Sequence, residues 1–183
     1  MFVAKQLKEN SVCEYLLYMW QVEDTIRAYG CDIDRICAEY IPGFQLSGQQ
    51  LREEEEWYGN LVRMMQEEGC RERGHLQINK ATLALMVDLH QQLLRSTKHP
   101  FYSSAYYRAL PFIVELRARN NKEEGAEEGE LETCLNALYG VMMLRLQKRE
   151  ISAETQKAVE ALSHMLALLA DAYKKEKQGI LEL

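Results

Sequence analysis

The sequence predicts an all-α fold, and three observations predict it. Apolar residues recur three or four positions apart in segment after segment, only three prolines occur in 183 residues, and no segment alternates polar and apolar for long. At roughly 150 residues per domain the length points to one domain over residues 1–183. With 47% hydrophobic residues the chain has material for a core without disulfides or metal. The expected architecture is a single domain of six or seven helices, with a helical bundle over 1–119, an acidic loop over 120–129, a helical hairpin over 130–177 and a tail over 178–183.

The first strong helix is expected over Ser11–Tyr29, with a start that reaches back toward Lys5. Ser11 and Glu14 have the spacing of a capping box, in which each side chain satisfies a backbone N–H of the other's turn, and Gly30 offers a left-handed stop. Asp32 caps a short helix that the pair Pro42-Gly43 ends near Ile41. After a short linker, Ser47 and Gln50 form a second capping box and open a helix that runs through Glu53–Glu56 to Gly69. Cys70–Lys80 has little periodicity and contains Gly74, so a loop is expected there.

A fourth helix from about Asn79 to Ser96 carries Leu83, Met86, Leu89 and Leu93. Pro100 suits the first turn of a fifth, where its missing N–H costs nothing, and Pro111 should kink that helix before it ends near Arg119. NNKEEGAEEG, over Asn120–Gly129, is charged and free of apolar anchors, as a surface loop would be. Glu130–Lys148 and Ser152–Lys177 then read as a helical hairpin with a frayed tail beyond it. Its helices carry more apolar surface than one packing face needs, from Leu135 to Tyr173. That surplus fits either a central position among the other helices or a homodimer interface.

Charge and composition exclude several classes. The balance of 22 Lys+Arg against 28 Asp+Glu gives a net charge of −6, which opposes binding to a phosphate backbone, and no nucleic acid is expected. No apolar stretch approaches the ~18–20 residues that span a bilayer. Met1–Asn10 is too polar for a secretory leader, and five scattered cysteines fit reduced thiols, so a cytoplasmic protein is expected. Glycine-rich phosphate loops, a GxSxG elbow, zinc-spaced Cys/His sets and HExxH are all missing, and no cofactor or metal is expected. The only Glu-x-x-His match, Glu72 to His75, contains Gly74 and falls in the predicted loop.

Five residues are candidates for a ligand site. Glu23 lies four after Met19 and three before Ile26, on the apolar stripe of its helix, which aims a carboxylate at the core. Arg27 follows at i+4, and Asp24 sits three before it; the structural reading pairs Glu23 with Arg27, and the functional one places both in a pocket. His90 lies on the stripe of Met86 and Leu93, either as an acid/base group or as a core imidazole bonded to a carbonyl or a tyrosine. Tyr106 and Arg108 belong to a segment, His99–Arg119, that interleaves aromatics with arginine, and a tyrosine hydroxyl reaching Glu23 or His90 would satisfy either.

The strings EYLLYMWQVEDTIRAYG (Glu14–Gly30), GHLQINK (Gly74–Lys80), PFYSSAYYRALPFIVELRAR (Pro100–Arg119) and GELETCLNALYGVMMLRLQKREIS (Gly129–Ser152) resemble a bacterial family of small all-helical proteins described as a domain of unknown function. The resemblance spans nearly the whole chain and implies a single cytoplasmic helical domain, with no activity or site residues attached. The apolar surplus from Leu135 to Tyr173 instead sets the expected function, that of a non-enzymatic helical protein working through self-association or a protein partner. The alternative is a ligand-binding or catalytic bundle built on Glu23, Arg27, His90, Tyr106 and Arg108.

Overall fold

A computed structural model describes residues 1–120 and 128–183, so most of the expected acidic loop lies outside the described residues. The chain is all-α. Its helices are α1 (Phe2–Asn10), α2 (Val12–Ala28), a single turn α3 (Ile33–Arg35), α4 (Gly48–Glu67), α5 (Gln77–Arg95), α6 (Pro100–Asn120), α7 (Glu130–Leu146) and α8 (Ala153–Lys177). Two compact units divide it, Met1–Thr82 and Leu83–Leu183.

In the first unit, α1 packs on α2, and α4 packs on α3 and on the turn Ile41–Phe44. Ser11 takes an extended backbone and its hydroxyl accepts from the Glu14 N–H at 3.4 Å. That cap starts a new helix at Val12, so α1 is a separate element and not the early start of α2. Gly30, at φ +71°, closes α2 with the Cys31 N–H returning to the Ile26 carbonyl, as a left-handed stop requires. Asp32 caps the next turn through the Asp34 and Arg35 amides, but the expected short helix does not stay α-helical. It widens to a π-turn over Ile36–Tyr40 and tightens to a 3-10 turn over Ile41–Phe44, with Pro42 in its first turn. Ser47 precedes α4, yet its hydroxyl makes no cap bond.

In the second unit α6, α7 and α8 pack on one another. Pro111 sits inside α6, and the helix runs unbroken past it. The hairpin forms as expected, and part of its apolar surface is buried within the unit. Leu131, Cys134, Leu135 and Val141 of α7 are buried, as are Leu162, Met165, Leu166 and Leu169 of α8. Along α7, Leu138, Tyr139, Met142, Met143 and Leu144 are partly exposed, and Leu146 keeps 61% of its surface open. Beyond α8, residues 178–183 are irregular and mostly exposed; His99 Nε2 bonds the Glu182 carbonyl at 2.7 Å, and Leu181 lines a small cavity with Leu93, Tyr102 and Leu168.

Candidate functional site

Glu23 is fully buried, and its partners come from the segment expected to be a loop. Its Oε1 accepts from the Leu76 N–H at 2.9 Å and from Asn79 Nδ2 at 2.7 Å; its Oε2 bonds His75 Nδ1 at 2.6 Å. Leu76 and Asn79 bracket the start of α5, whose first amides have no intrahelical acceptors. The carboxylate therefore caps α5, with its charge at the favourable end of the helix dipole. Glu68 does the same for the Gln77 N–H at 2.6 Å. The half-buried His75 ring is held a second time, stacked on Trp20 at 4.4 Å between centroids.

Arg27 does not pair with Glu23, against the simplest expectation. Its guanidinium holds Asp24 at 2.7 Å, the Cys70 carbonyl at 3.2 Å and the Gly74 carbonyl. The correction has a simple cause. Segment 70–79 offers Arg27 carbonyls and Glu23 N–H donors, so each charge finds complementary groups in the segment and neither needs the other. Two residues one helical turn apart on α2 thus clamp the chain that leads into α5.

His90 belongs to the second unit. His90 Nδ1 and the Tyr102 hydroxyl share a hydrogen bond at 2.5 Å, and the other ring nitrogen, Nε2, lies 3.9 Å from Glu130 Oε2. Tyr106 donates to that same Glu130 oxygen at 3.1 Å, and its ring meets His90 edge-on at 5.2 Å. Burial holds the His90 imidazole below its ordinary range, with Glu130 opposing, so the neutral ring is favoured. Burial, then the bond to Glu130, pushes the Tyr106 hydroxyl up to about 12.

The five expected residues thus fall into separate settings. Every partner of Glu23 and Arg27 lies in the first unit, and every partner of His90 and Tyr106 in the second. Arg108 is exposed on α6 and makes no hydrogen bond or ion pair among the described residues. Sequence reasoning missed His75, Asn79 and Glu130, and expected a tyrosine at His90, where Tyr102 stands. A carboxylate on an apolar stripe does announce that donors must exist, but the ones used here lie more than fifty positions along the chain.

The α6 helix presents a different feature. Tyr102, Ala105, Ala109 and Ile113 form its buried face. On the opposite side Ser104, Tyr107, Pro111, Val114 and Ala118 follow a regular three-four spacing, and all are exposed; Tyr107 and Val114 keep 67% and 59% of their surface open. Arg108 and Glu115 flank this strip on one side, with Glu115 also bonded to Arg119. Among the described residues no helix is long and apolar enough to cross a membrane.

A family model described as Domain of unknown function (DUF4924) matches residues 1–180. No curated protein and no solved structure matches the chain.

Proposed function

We propose that this chain, which belongs to the family described as Domain of unknown function (DUF4924), works by association, pairing the outer face of α6 with the same face of a second copy. The observation that carries this reading is the three-four strip itself. Surface apolar residues are ordinary when scattered, but a seam at heptad spacing is the pattern that buries against another helix. The polar residues that suggested a ligand site support the same reading, because Glu23, Arg27, His90 and Tyr106 are engaged in capping and bracing their own units.

The strip also argues for a second copy in particular. In an antiparallel helix pair, flank residues at equivalent heptad positions meet each other. Arg108 and Glu115 are seven apart on one flank, so a two-fold axis near Pro111 sets Arg108 of one copy beside Glu115 of the other, twice. In the same register Tyr107 faces the small Ala118, and Pro111 faces Val114. The seam is self-complementary in both charge and size, as an isologous contact must be. A single helix pair buries less than the ~1,600 Å² of a standard interface, so the expected dimer is reversible, with a Kd on the order of micromolar.

Charge exchange tests the register. Arg108→Glu and Glu115→Arg, each alone, should weaken dimerisation a few fold, and the double exchange should restore it, as read by light scattering over a concentration series. If the double exchange is as weak as either single one, the antiparallel pairing is wrong.

A further inference from the structure

Four glutamates follow one another on α4, and only one turns inward. Glu54 shares the buried stripe with Tyr58, Leu61 and Met65, at spacings of four, three and four, and is 4% exposed, whereas Glu53, Glu55 and Glu56 keep more surface. Its surroundings differ from those of Glu23. Only one partner reaches it among the described residues, the terminal ammonium of Met1 on Oε1. The rest of the setting is a cavity of about 280 Å³ lined by Phe2, Val3, Tyr18, Phe44, Leu46 and Glu54 itself.

That lining has a definite chemistry. It is apolar and aromatic, with a single charged residue, and the desolvated carboxylate, which needs a cation beside it, has the Met1 ammonium there, a contact that a guest cation must displace. The rings of Phe2, Tyr18 and Phe44 add negative π-faces, which attract cations as well. Burial first, and the Glu54 charge second, push the Tyr18 hydroxyl up to about 12, so the group beside the carboxylate remains a neutral donor. Behind the wall, the buried Tyr58 ring stacks on Phe44 at 6.5 Å and meets Tyr40 edge-on at 5.8 Å.

We propose that the Glu54 cavity binds an organic ammonium ion, its cationic head on the Glu54 carboxylate and a small apolar body against Phe2, Tyr18 and Phe44. The volume sits just below the ~300 Å³ floor of typical ligand pockets, which limits the guest to about ten non-hydrogen atoms. The site lies wholly in the first unit and stands independently of the α6 pairing.

The experiment titrates the full chain with phenethylammonium chloride and, in parallel, with neutral phenethyl alcohol, following amide shifts by NMR. Saturable binding of the ammonium at residues around Glu54, about tenfold tighter than the alcohol, is the expected result. Glu54→Gln should erase that preference while the alcohol binds as before. Phe44→Leu, which keeps the carboxylate, should weaken the ammonium a few fold and serves if Glu54→Gln fails to fold. Equal affinity for the two probes, or no saturable shift with either, overturns the proposal.

Discussion

Glu23 in the first unit and the outer strip of α6 in the second are opposite anomalies, a charge placed inside and apolar side chains left outside. The first is resolved within the chain. Both carboxylate oxygens are taken, and its donors belong to a segment that Arg27 also holds. The second is not resolved among the described residues: Tyr107, beside the Tyr106 ring, and Val114 keep 67% and 59% of their surface open. The difference shows how to sort misplaced residues. One satisfied by its neighbours is part of the scaffold, and one left unsatisfied points to something beyond it. Even within the second unit the contrast holds: α8 turns Lys157, Glu160, His164, Asp171 and Lys174 outward, as a helix with one packing face should, and α6 does not.

The largest expected effect breaks the inner anomaly. Glu23→Ala strands the Leu76 N–H, the Asn79 amide and the His75 ring, and should cost about 3 kcal/mol in denaturant unfolding. Glu23→Gln, which still offers one acceptor, should cost less. If Glu23→Ala melts like the parent chain, the capping role is wrong and the residue is free for another task.

A smaller effect follows from His90. Its folded pKa lies below the ordinary 6.5 because the ring is buried, so the unfolded chain binds more protons between the two values. Stability is then full above 6.5 and falls as pH drops through the folded value. His90→Gln should remove that part of the acid slope, measured as unfolding free energy against pH. A slope unchanged by the substitution places the titrating group elsewhere.

The smallest effect is expected on the outer face of α8. Ala167→Glu adds one more charge to a solvated face and should leave stability within about 0.5 kcal/mol and self-association untouched. Dissociation on this substitution would move the interface from α6 to the hairpin.

The fold was legible wherever a local rule sufficed. Ser11, Asp32 and Gly30 each act close to where they stand, though the Ser11–Glu14 box forms only by half, because the Leu7 carbonyl takes the Ser11 N–H that the Glu14 side chain would accept. Ser47 carried the same signal and is not used, because a cap needs a rotamer as well as a position. The polar clusters were legible by half. Glu23 and His90 stood out on their stripes, and a tyrosine was expected at His90, where Tyr102 is found. Their other partners were hidden, since 52 residues separate His75 from Glu23 and no pattern in the chain encodes that contact. Glu54 was concealed differently, inside a run of four like residues whose helical phase alone selects the one that turns inward.

The most direct test of the α6 pairing is sedimentation equilibrium of the full chain and of Val114→Glu over the same concentration range. Val114 is largely exposed, so the substitution spares the fold, while a symmetric pair receives two new charges in its seam. The parent chain should show a reversible monomer–dimer equilibrium, and the variant should dimerise at least about tenfold more weakly with an unchanged melting curve. A parent chain that stays monomeric at its highest soluble concentration, or a variant that dimerises as well as the parent, contradicts the account.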